Sequence, residues 1–289
     1  MLRIGADSRL SQKYSNFWLY SASIMDKLNF SCYFCKVMLD ISIKAEELGH
    51  ILGLPVTNTL LLTWLVVVSL IVVSYLLWRN LKLIPSKLQG LVELIFEEFF
   101  DFMKELYGSE KLAYAYFPFI ATIFFFILFN NWFGILPVLG ALGFFHQTAD
   151  GQVFFPLFRT AASDINTTLP LAIISIIATH VIAIATLGFF KHASKYFTLS
   201  GVIPFFIGIL EFIAEIAKMV SFSFRLFGNI FAGEVLLVIV SFLLPYIAPL
   251  PFYLLEIFVG LVQALVFAML TMVFIKIAST SHDNEEQHA

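Results

Sequence analysis

The sequence predicts an all-α polytopic membrane protein with about five membrane-spanning helices, an amphipathic surface helix, and two last helices that are long and strongly tilted. Of its 289 residues, 60% are hydrophobic and 13% are charged, whereas a soluble domain would carry about a quarter charged residues. The mean hydropathy is +0.91. Apolar runs of about 20 residues, the length that crosses a hydrocarbon core, recur along the chain.

The two ends of the chain are polar and flank the predicted membrane domain, residues 56–280. Residues 1–55 are mixed in character, with no continuous apolar run and no convincing cleavage site, so we interpret them as an N-terminal extension on the outer side. A membrane-surface helix in part of this segment fits the sequence as well. Residues 281–289 form a polar tail. Cys32 and Cys35 have no second Cys/His pair nearby, so we interpret them as incidental thiols and predict no metal or cofactor. The net charge of -3 gives no basic surface for nucleic acid.

Five apolar runs are the predicted spans. They cover residues 60–78, 113–137, 169–190, 202–244 and 252–277. Arg79 and Lys82 follow the first span and Lys191 follows the third, so the positive-inside rule places both connections on the inner side. The connection 138–168 holds one strong base, Arg159, which fits the outer side. The chain therefore starts outside and ends inside.

Residues 87–107 follow a different pattern, in which apolar positions recur at helical spacing beside a charged side. The apolar positions are Leu91, Leu94, Ile95, Phe99 and Phe102. This pattern predicts an amphipathic helix that does not cross the membrane. Amphipathicity alone fits a plain surface helix and a helix docked on a partner equally well.

The fourth run, 202–244, is too long for one perpendicular crossing. At 1.5 Å per residue it would reach about 60 Å, twice the hydrocarbon thickness, so it must tilt steeply or break. It also carries five charged side chains, which are Glu211, Glu215, Lys218, Arg225 and Glu234. Charges along a membrane helix need protein or water beside them rather than lipid.

Arg225 is the most informative of these charges, because a guanidinium does not lose its proton in proteins. A cation at this depth costs about 2.5–3.5 kcal/mol or more, so a fold keeps it only with a partner or a task. Our hypothesis is that the task is handling protons. A permanent positive charge repels hydrated protons and attracts a carboxylate from another protein, so it can separate two half-paths.

At about 100° per residue, the polar residues of this helix fall on two faces. The residues within about 40° of Arg225 are Glu211, Lys218, Ser221, Asn229 and Ala232, while Glu234 falls on the opposite side. Small residues such as Gly228 beside Arg225 let another helix approach closely. Glu234 would face the other helices of the same subunit.

On the last span, Glu256 and Gln263 are seven residues apart and share a face. If this helix runs antiparallel to the preceding one, Glu256 comes near Glu234 and Gln263 comes near Arg225. Two carboxyl groups so placed can hold and pass a proton, because they repel each other when both are ionised. The sequence thus predicts half of an aqueous path.

Polar residues nearer the inner side could line the second half of the path. These are Glu211, Glu215, Lys218 and Ser221. Lys218 stands three residues after Glu215, so a local ion pair that lowers the cost of burial explains these two as well as a channel does. His180 interrupts the third span, and it fits either a packed, hydrogen-bonded residue or an accessory ionisable group.

Several motifs carry a resemblance to a known family. They are Arg-Leu-Phe-Gly-Asn at 225–229, Ala-Gly-Glu at 232–234, Gln263 with Glu256 seven before it, Asn131 with the Gly-Ile-Leu-Pro that follows, and the Asp-Ile-Asn-Thr-Thr-Leu-Pro run at 164–170. Over roughly residues 45–280 the sequence closely resembles subunit a of the F-type rotary ATP synthases.

The resemblance implies a proton-translocating stator subunit in which two half-channels lead to a ring of c subunits. Arg225 matches the essential arginine of the family, Glu234 and Glu256 match its access-channel pair, and Asn229 and Gln263 match its supporting amides. Some members have a histidine in the pair, where this chain has two glutamates. The implied partners are the c ring, the b-subunit peripheral stalk, the F1 head and membrane lipids, with no catalytic site in this chain. A bacterial plasma membrane is favoured over a mitochondrial or plastid inner membrane.

Two other classes of membrane protein fit the sequence less well. A secondary transporter would show internal repeats with paired broken helices, and no repeat relates the halves of this sequence. A respiratory subunit that holds haem or quinone would need histidines at matching depth, and only His180 lies within a span.

Overall fold

The computed structural model describes most of the predicted membrane domain. The described residues are 47–51, 54–82, 85–148, 151–194, 202–244 and 247–279. The predicted N-terminal extension up to residue 46, with Cys32 and Cys35, lies outside the described residues, and so does the tail 281–289.

The described chain consists of helices and two short hairpins. The helices are α1 (Asn58–Arg79), α2 (Lys87–Tyr107), α3 (Glu110–Ile135), α4 (Pro137–Gly140), α5 (Ile165–Leu187), α6 (Phe189–Ser194), α7 (Val202–Leu243) and α8 (Pro249–Ser279). A 3-10 turn, Ala161–Ser163, precedes α5. The antiparallel hairpins are β1 (Glu47–Ile51) with β2 (Leu54–Thr57), and β3 (Gly143–Thr148) with β4 (Gly151–Pro156).

Five of the described helices, α1, α3, α5, α7 and α8, are long and apolar enough to cross a membrane. The predicted helical class and its five spans are therefore confirmed. The helices α1 and α5 begin a few residues before the predicted runs because polar side chains cap them. The Thr57 side chain accepts from the Leu60 amide, and the Asp164 side chain accepts from the Asn166 amide. Hydropathy does not register such caps.

The helix α7 is continuous over 42 residues. The break that the sequence allowed does not occur, and the helix is about 63 Å long at 1.5 Å per residue. A helix of this length stays within a hydrocarbon core of about 30 Å only when it is strongly tilted. Its tilt would spread its charged residues across the width of the protein as well as through its depth.

The hairpin of β3 and β4 occupies the outer connection, where the sequence analysis predicted only a loop. Its strands pair without a register shift from Gly143 opposite Pro156 to Thr148 opposite Gly151. In the sequence, Asp150 precedes Gly151, where β4 begins, and an Asp-Gly dipeptide is a typical hairpin signal. This local signal could have predicted the hairpin.

The core lies where α3 and α8 pack together, with α5 and α7 against them. Its nearly inaccessible side chains include Ile120 and Ile127 of α3, Met272 of α8 and Ile230 of α7. Because Ile230 belongs to this core, one side of α7 is fixed against the subunit. The opposite side is free to face lipid or another protein.

The amphipathic helix α2 docks on α3 through aromatic rings. Phe99 packs on Phe124 with ring centroids 5.2 Å apart, a contact worth about 0.5–1.5 kcal/mol beyond its buried area. Other positions of the predicted apolar face remain exposed, with Leu91 at 59%, Leu94 at 57% and Ile95 at 41%. The apolar side of α2 is thus wider than the surface that α3 covers.

A side-chain hydrogen bond connects the end of α2 to α8. The Tyr107 hydroxyl donates to the Met272 carbonyl oxygen at 3.1 Å. Burial, together with the neighbouring Tyr116, raises the pKa of Tyr107 far above its ordinary value. The phenol therefore remains a donor at any physiological pH, and Gly108 ends the helix just beyond it with a φ of 65°.

Candidate functional site

The face of α7 that carries Arg225 is exposed. Ser221, Gly228 and Asn229 are exposed along the same side. The Arg225 guanidinium lies 3.5 Å from the Ser221 hydroxyl, and among the described residues no carboxylate pairs with it. The strongest base of the helix is thus presented outward and is not neutralised within the described chain.

Contacts on the buried side of α7 fix this orientation. The Phe222 ring packs between Phe267 and Phe274 of α8, with centroids 4.7 and 5.2 Å away. The Ser223 hydroxyl lies 3.0 Å from the Thr168 hydroxyl of α5. Both Phe222 and Ser223 are buried. Rotating α7 to bring the arginine inward would break the ring packing and the hydrogen bond between two buried hydroxyls.

Glu234 faces the interior of the same subunit, as its helical angle predicts. Its Oε2 lies 3.5 Å from the guanidinium of Arg159, and the side chains of Thr160 and Ser163 lie next to it. The sequence analysis noted Arg159 only as the single base of the outer connection. The two partners are 75 residues apart, and no local pattern links residues at such a distance.

Glu256 reaches the same site from α8. Its side chain is buried, and a Cβ atom at position 233 would lie 2.7 Å from its Oε1, closer than real Cβ contacts come. Gly233 therefore gives Glu256 the space to lie directly against α7, next to Glu234. The two carboxyl groups share one site, and within the described residues Oε2 of Glu256 has no hydrogen-bond partner.

Two side chains of α3 set the depth of α8 beside this site. The Asn131 amide donates to the Gly260 carbonyl at 3.1 Å, and the Trp132 indole donates to the Ile257 carbonyl at 3.1 Å. Both carbonyls belong to the turn that follows Glu256. Because these bonds anchor the backbone of α8, the carboxyl group of Glu256 is held at one level.

The 3-10 turn beside Glu234 is held by two of the sequence motifs. A Cβ atom at Gly134 would collide with the Thr160 side chain, so this glycine admits the turn against α3. The Asp164 carboxylate accepts from the Thr59 hydroxyl of α1 at 3.2 Å while it caps α5. These contacts connect α1, α3 and α5 around the segment that pairs with Glu234.

The two predicted amides lie in different environments. Asn229 is exposed on the Arg225 face, and Gln263 is half-buried on α8. No hydrogen bond joins Gln263 to Arg225 within the part of the chain that the structure describes. The structure therefore brings Asn229, but not Gln263, into the exposed surface around the arginine.

At the other end of α7, an ion pair extends into a longer cluster. The Lys218 ammonium lies 2.8 Å from Oε1 of Glu215. Oε2 of Glu215 lies 3.8 Å from Nε2 of His180, whose Nδ1 lies 3.2 Å from Nε2 of His192. Glu211 is half-buried one turn away. The local ion pair exists, and the two histidines connect it to α5 and α6.

Five membrane-length helices with ionisable side chains held between them define a multi-pass, ion-translocating membrane protein. The family model described as ATP synthase A chain matches residues 60–276, which is most of the chain. The chain therefore belongs to this family, the ion-translocating a subunits of the Fo sector of ATP synthases. The secondary-transporter and haem-subunit alternatives no longer apply.

Individual relatives agree with the family model. The chain is 33% identical to the "ATP synthase subunit a, sodium ion specific" of Propionigenium modestum over 264 residues, covering 86% of this chain and 83% of the relative. It is 34% identical to ATP synthase subunit a of Trichlorobacter lovleyi, covering 82% and 93%. It is 30% identical to ATP synthase subunit a of Moorella thermoacetica, covering 81% and 95%.

Proposed function

We propose that this subunit translocates protons through two aqueous half-channels that Arg225 separates. The observation that carries the proposal is the exposed guanidinium, which the described chain leaves without a carboxylate partner. A cation in that position attracts an acidic side chain from a neighbouring protein and repels free protons. Protons then cross only when a rotor carboxylate carries them past the arginine.

The outer half-channel is proposed to pass the site of Glu234 and Glu256. The two carboxyl groups come together at Gly233, and the hydroxyls of Thr160 and Ser163 adjoin them. Carboxyl and hydroxyl groups can each accept and donate a proton, so they form a continuous exchange path. Asn229 and Gln263 are proposed as supporting amides.

The inner half-channel is proposed to follow the polar side of α7 before Arg225. Its residues are Glu211, Glu215, Lys218 and Ser221, with His180 as an accessory group. Ser221 and Lys218 lead away from the arginine at intervals of about one turn, and the Ser221 hydroxyl already lies 3.5 Å from the guanidinium. This arrangement supports a second path on the opposite side of the arginine from Glu234.

The ion is proposed to be the proton, although one relative is named sodium ion specific. The carboxylate of Glu234 is paired with the fixed cation of Arg159 at 3.5 Å. Carboxyl and hydroxyl groups exchange protons without a bound metal ion, and the described residues hold no group of three or more His, Cys, Asp or Glu side chains that could bind one.

The proposed partners follow from the exposed surfaces. The c ring would pack on the Arg225 face, where Gly228 leaves open space. The b subunits of the peripheral stalk and the F1 head would complete the complex, and ATP chemistry would take place in F1 rather than in this chain. Bacterial relatives support location in a bacterial plasma membrane.

The direct test compares R225A with R79A in membrane vesicles that contain the whole complex. Arg79 is an exposed cation at the end of α1, so R79A controls for loss of a charge. We expect R225A to assemble normally and to lower ATP synthesis driven by a pH gradient by at least about a hundredfold, with R79A close to the parent. Normal coupled synthesis in R225A contradicts the proposal, and a requirement for sodium ions contradicts its proton component.

A further inference from the structure

Four ionisable side chains form a continuous line at the end of α7 that the proposed function assigns to the inner half-channel. In order they are Lys218, Glu215, His180 and His192, and successive groups are separated by 2.8, 3.8 and 3.2 Å. Three helices contribute them, since His180 belongs to α5 and His192 to α6. The line is partly shielded, with side-chain exposures of 17% for Glu215 and 28% for His180.

The line connects the Arg225 face to the interior. Helical geometry places Lys218 about 20° from Arg225 and about two turns closer to the inner end. Glu215 is about 80° from Arg225 and about three turns closer to that end. Lys218 therefore lies on the arginine face, and Glu215 turns toward α5. From Glu215 the contacts lead away from the proposed rotor surface to His192 on α6, the helix that follows α5.

An imidazole is suited to the middle position of such a line. It binds a proton at one nitrogen while releasing one at the other, and it is the side chain that ordinarily changes charge between pH 5 and 8. His180 has its two nitrogens directed at different groups, Nε2 toward Glu215 and Nδ1 toward His192. A side chain that served packing alone would not need both contacts.

We propose that His180 is a proton-transfer residue of the inner half-channel and passes protons between Glu215 and His192. In the exit direction, the protonated carboxyl of Glu215 gives its proton to Nε2 of His180, and the Nδ1 proton of His180 moves to Nε2 of His192. Glu215 is left as a carboxylate beside Lys218, and His192, which is 7% exposed, holds the proton at the end of the line. His180 ends in its other tautomer and is reset by the return exchange.

The distances fit this sequence of steps. The 3.2 Å between the imidazoles is a hydrogen-bond length. The 3.8 Å between Glu215 and His180 closes with a small side-chain rotation or one bridging water. Lys218 holds Oε1 of Glu215 at 2.8 Å and leaves Oε2 directed at His180.

Other charged groups stand on the elements that pack around the cluster, and they belong to any account of its pH dependence. On α7 this is Glu211, on α8 it is Lys276, and on α6 the sequence places Lys191 beside His192. The competing explanation is structural, in which the cluster only neutralises charges that would be costly near lipid. That explanation predicts a loss of assembly or stability without any change in the pH profile.

The test uses vesicles with the whole complex and follows ATP-driven proton uptake as the pH of the inner-side solution is varied from 5 to 8. H180Q keeps hydrogen-bonding atoms but cannot carry a proton at that pH. We expect the parent profile to show an inflection, and we expect H180Q to remove it and to lower the rate by about tenfold to a hundredfold. For H180A, added imidazole should restore part of the rate.

T186A is the matched control, because among the described residues the Thr186 hydroxyl bonds to carbonyls of its own helix and to no other element, near the same end of α5. We expect it to match the parent. If H180Q does not assemble, H192Q tests the far end of the same line with the same expected loss of the inflection. The proposal is overturned if H180Q takes up protons at the parental rate and with the parental pH profile. It is also overturned if H180Q is slower but keeps the parental pH profile and imidazole does not restore the rate of H180A.

This inference rests on the proposed function, but the two can fail separately. If R225A still couples proton flow to ATP synthesis, both the proposed function and the His180 relay are contradicted. If R225A abolishes coupled ATP synthesis while H180Q behaves like the parent, only the relay is contradicted and the half-channel proposal stands.

Discussion

The charged side chains on the two sides of α7 differ in whether they are paired within the chain. Glu234 faces the subunit, where Arg159 pairs with it at 3.5 Å and Glu256 lies beside it. Arg225, nine residues earlier, is exposed, and among the described residues its guanidinium has a hydrogen bond to the Ser221 hydroxyl at 3.5 Å and no carboxylate partner. A charge that is neutralised within the chain can remain there, whereas one left unpaired in a membrane needs a partner from outside. The difference underlies the proposal that the Arg225 side of the helix meets the rotor.

The sharpest way to break this comparison is to add the same bulk to each side. A Cβ atom at Gly228 meets nothing within 4 Å, while one at Gly233 meets the carboxyl group of Glu256 at 2.7 Å. We expect G228V to leave the amount of folded subunit unchanged and to lower coupled ATP synthesis by up to about a hundredfold, because the rotor can no longer approach. G233V should instead destabilise the subunit by about 1–3 kcal/mol.

Immunoblotting of membranes and a synthesis assay on the same vesicles distinguish the two variants. Parental coupling in G228V would mean that no helix packs closely on the arginine face. An unchanged level and thermal stability of G233V would mean that Glu256 does not lie against α7.

The next prediction concerns the ion pair on the interior side. R159A leaves the Glu234 carboxylate without its cation, so we expect the midpoint of thermal unfolding of the detergent-solubilised complex to fall, corresponding to about 1–3 kcal/mol. E234Q in the same background removes the unpaired charge and should recover part of the loss. Additive effects of the two changes in a double-mutant cycle would show that the residues do not interact.

A smaller effect is expected from the hydroxyl pair that fixes the rotation of α7. Thr168 and Ser223 lie 3.0 Å apart and are both buried. T168V or S223A alone should cost about 1 kcal/mol, because each removes the hydrogen bond between two buried hydroxyls, while the double variant should be milder than their sum. Thermal unfolding of the three variants measures these losses of stability. If the loss in the double variant equals the sum of the single losses, the two hydroxyls do not interact.

Much of the fold could be predicted because membrane spans follow from hydropathy. The five apolar runs coincide with α1, α3, α5, α7 and α8 to within a few residues, since about 20 apolar residues in succession have few alternatives to crossing the bilayer. Helical periodicity also separates the faces of Arg225 and Glu234. Both features depend only on residues close together in the sequence.

The rest could not be predicted because it depends on contacts between distant segments. The pairing of Arg159 with Glu234 and the contact of His180 with His192 arise only when separate helices pack. Exposure of Leu91 also could not be predicted, because periodicity shows which side of α2 is apolar but not how much of that side α3 covers.

The most direct test of the central claim is site-specific photocrosslinking from the two sides of α7 in intact membranes. A crosslinking amino acid replaces Asn229, on the exposed side, or Phe222, on the buried side. We predict that the probe at position 229 captures a small rotor proteolipid and that the probe at position 222 reacts only within the chain. Capture of the rotor from position 222, or only internal products from position 229, would contradict the orientation of Arg225 toward a partner.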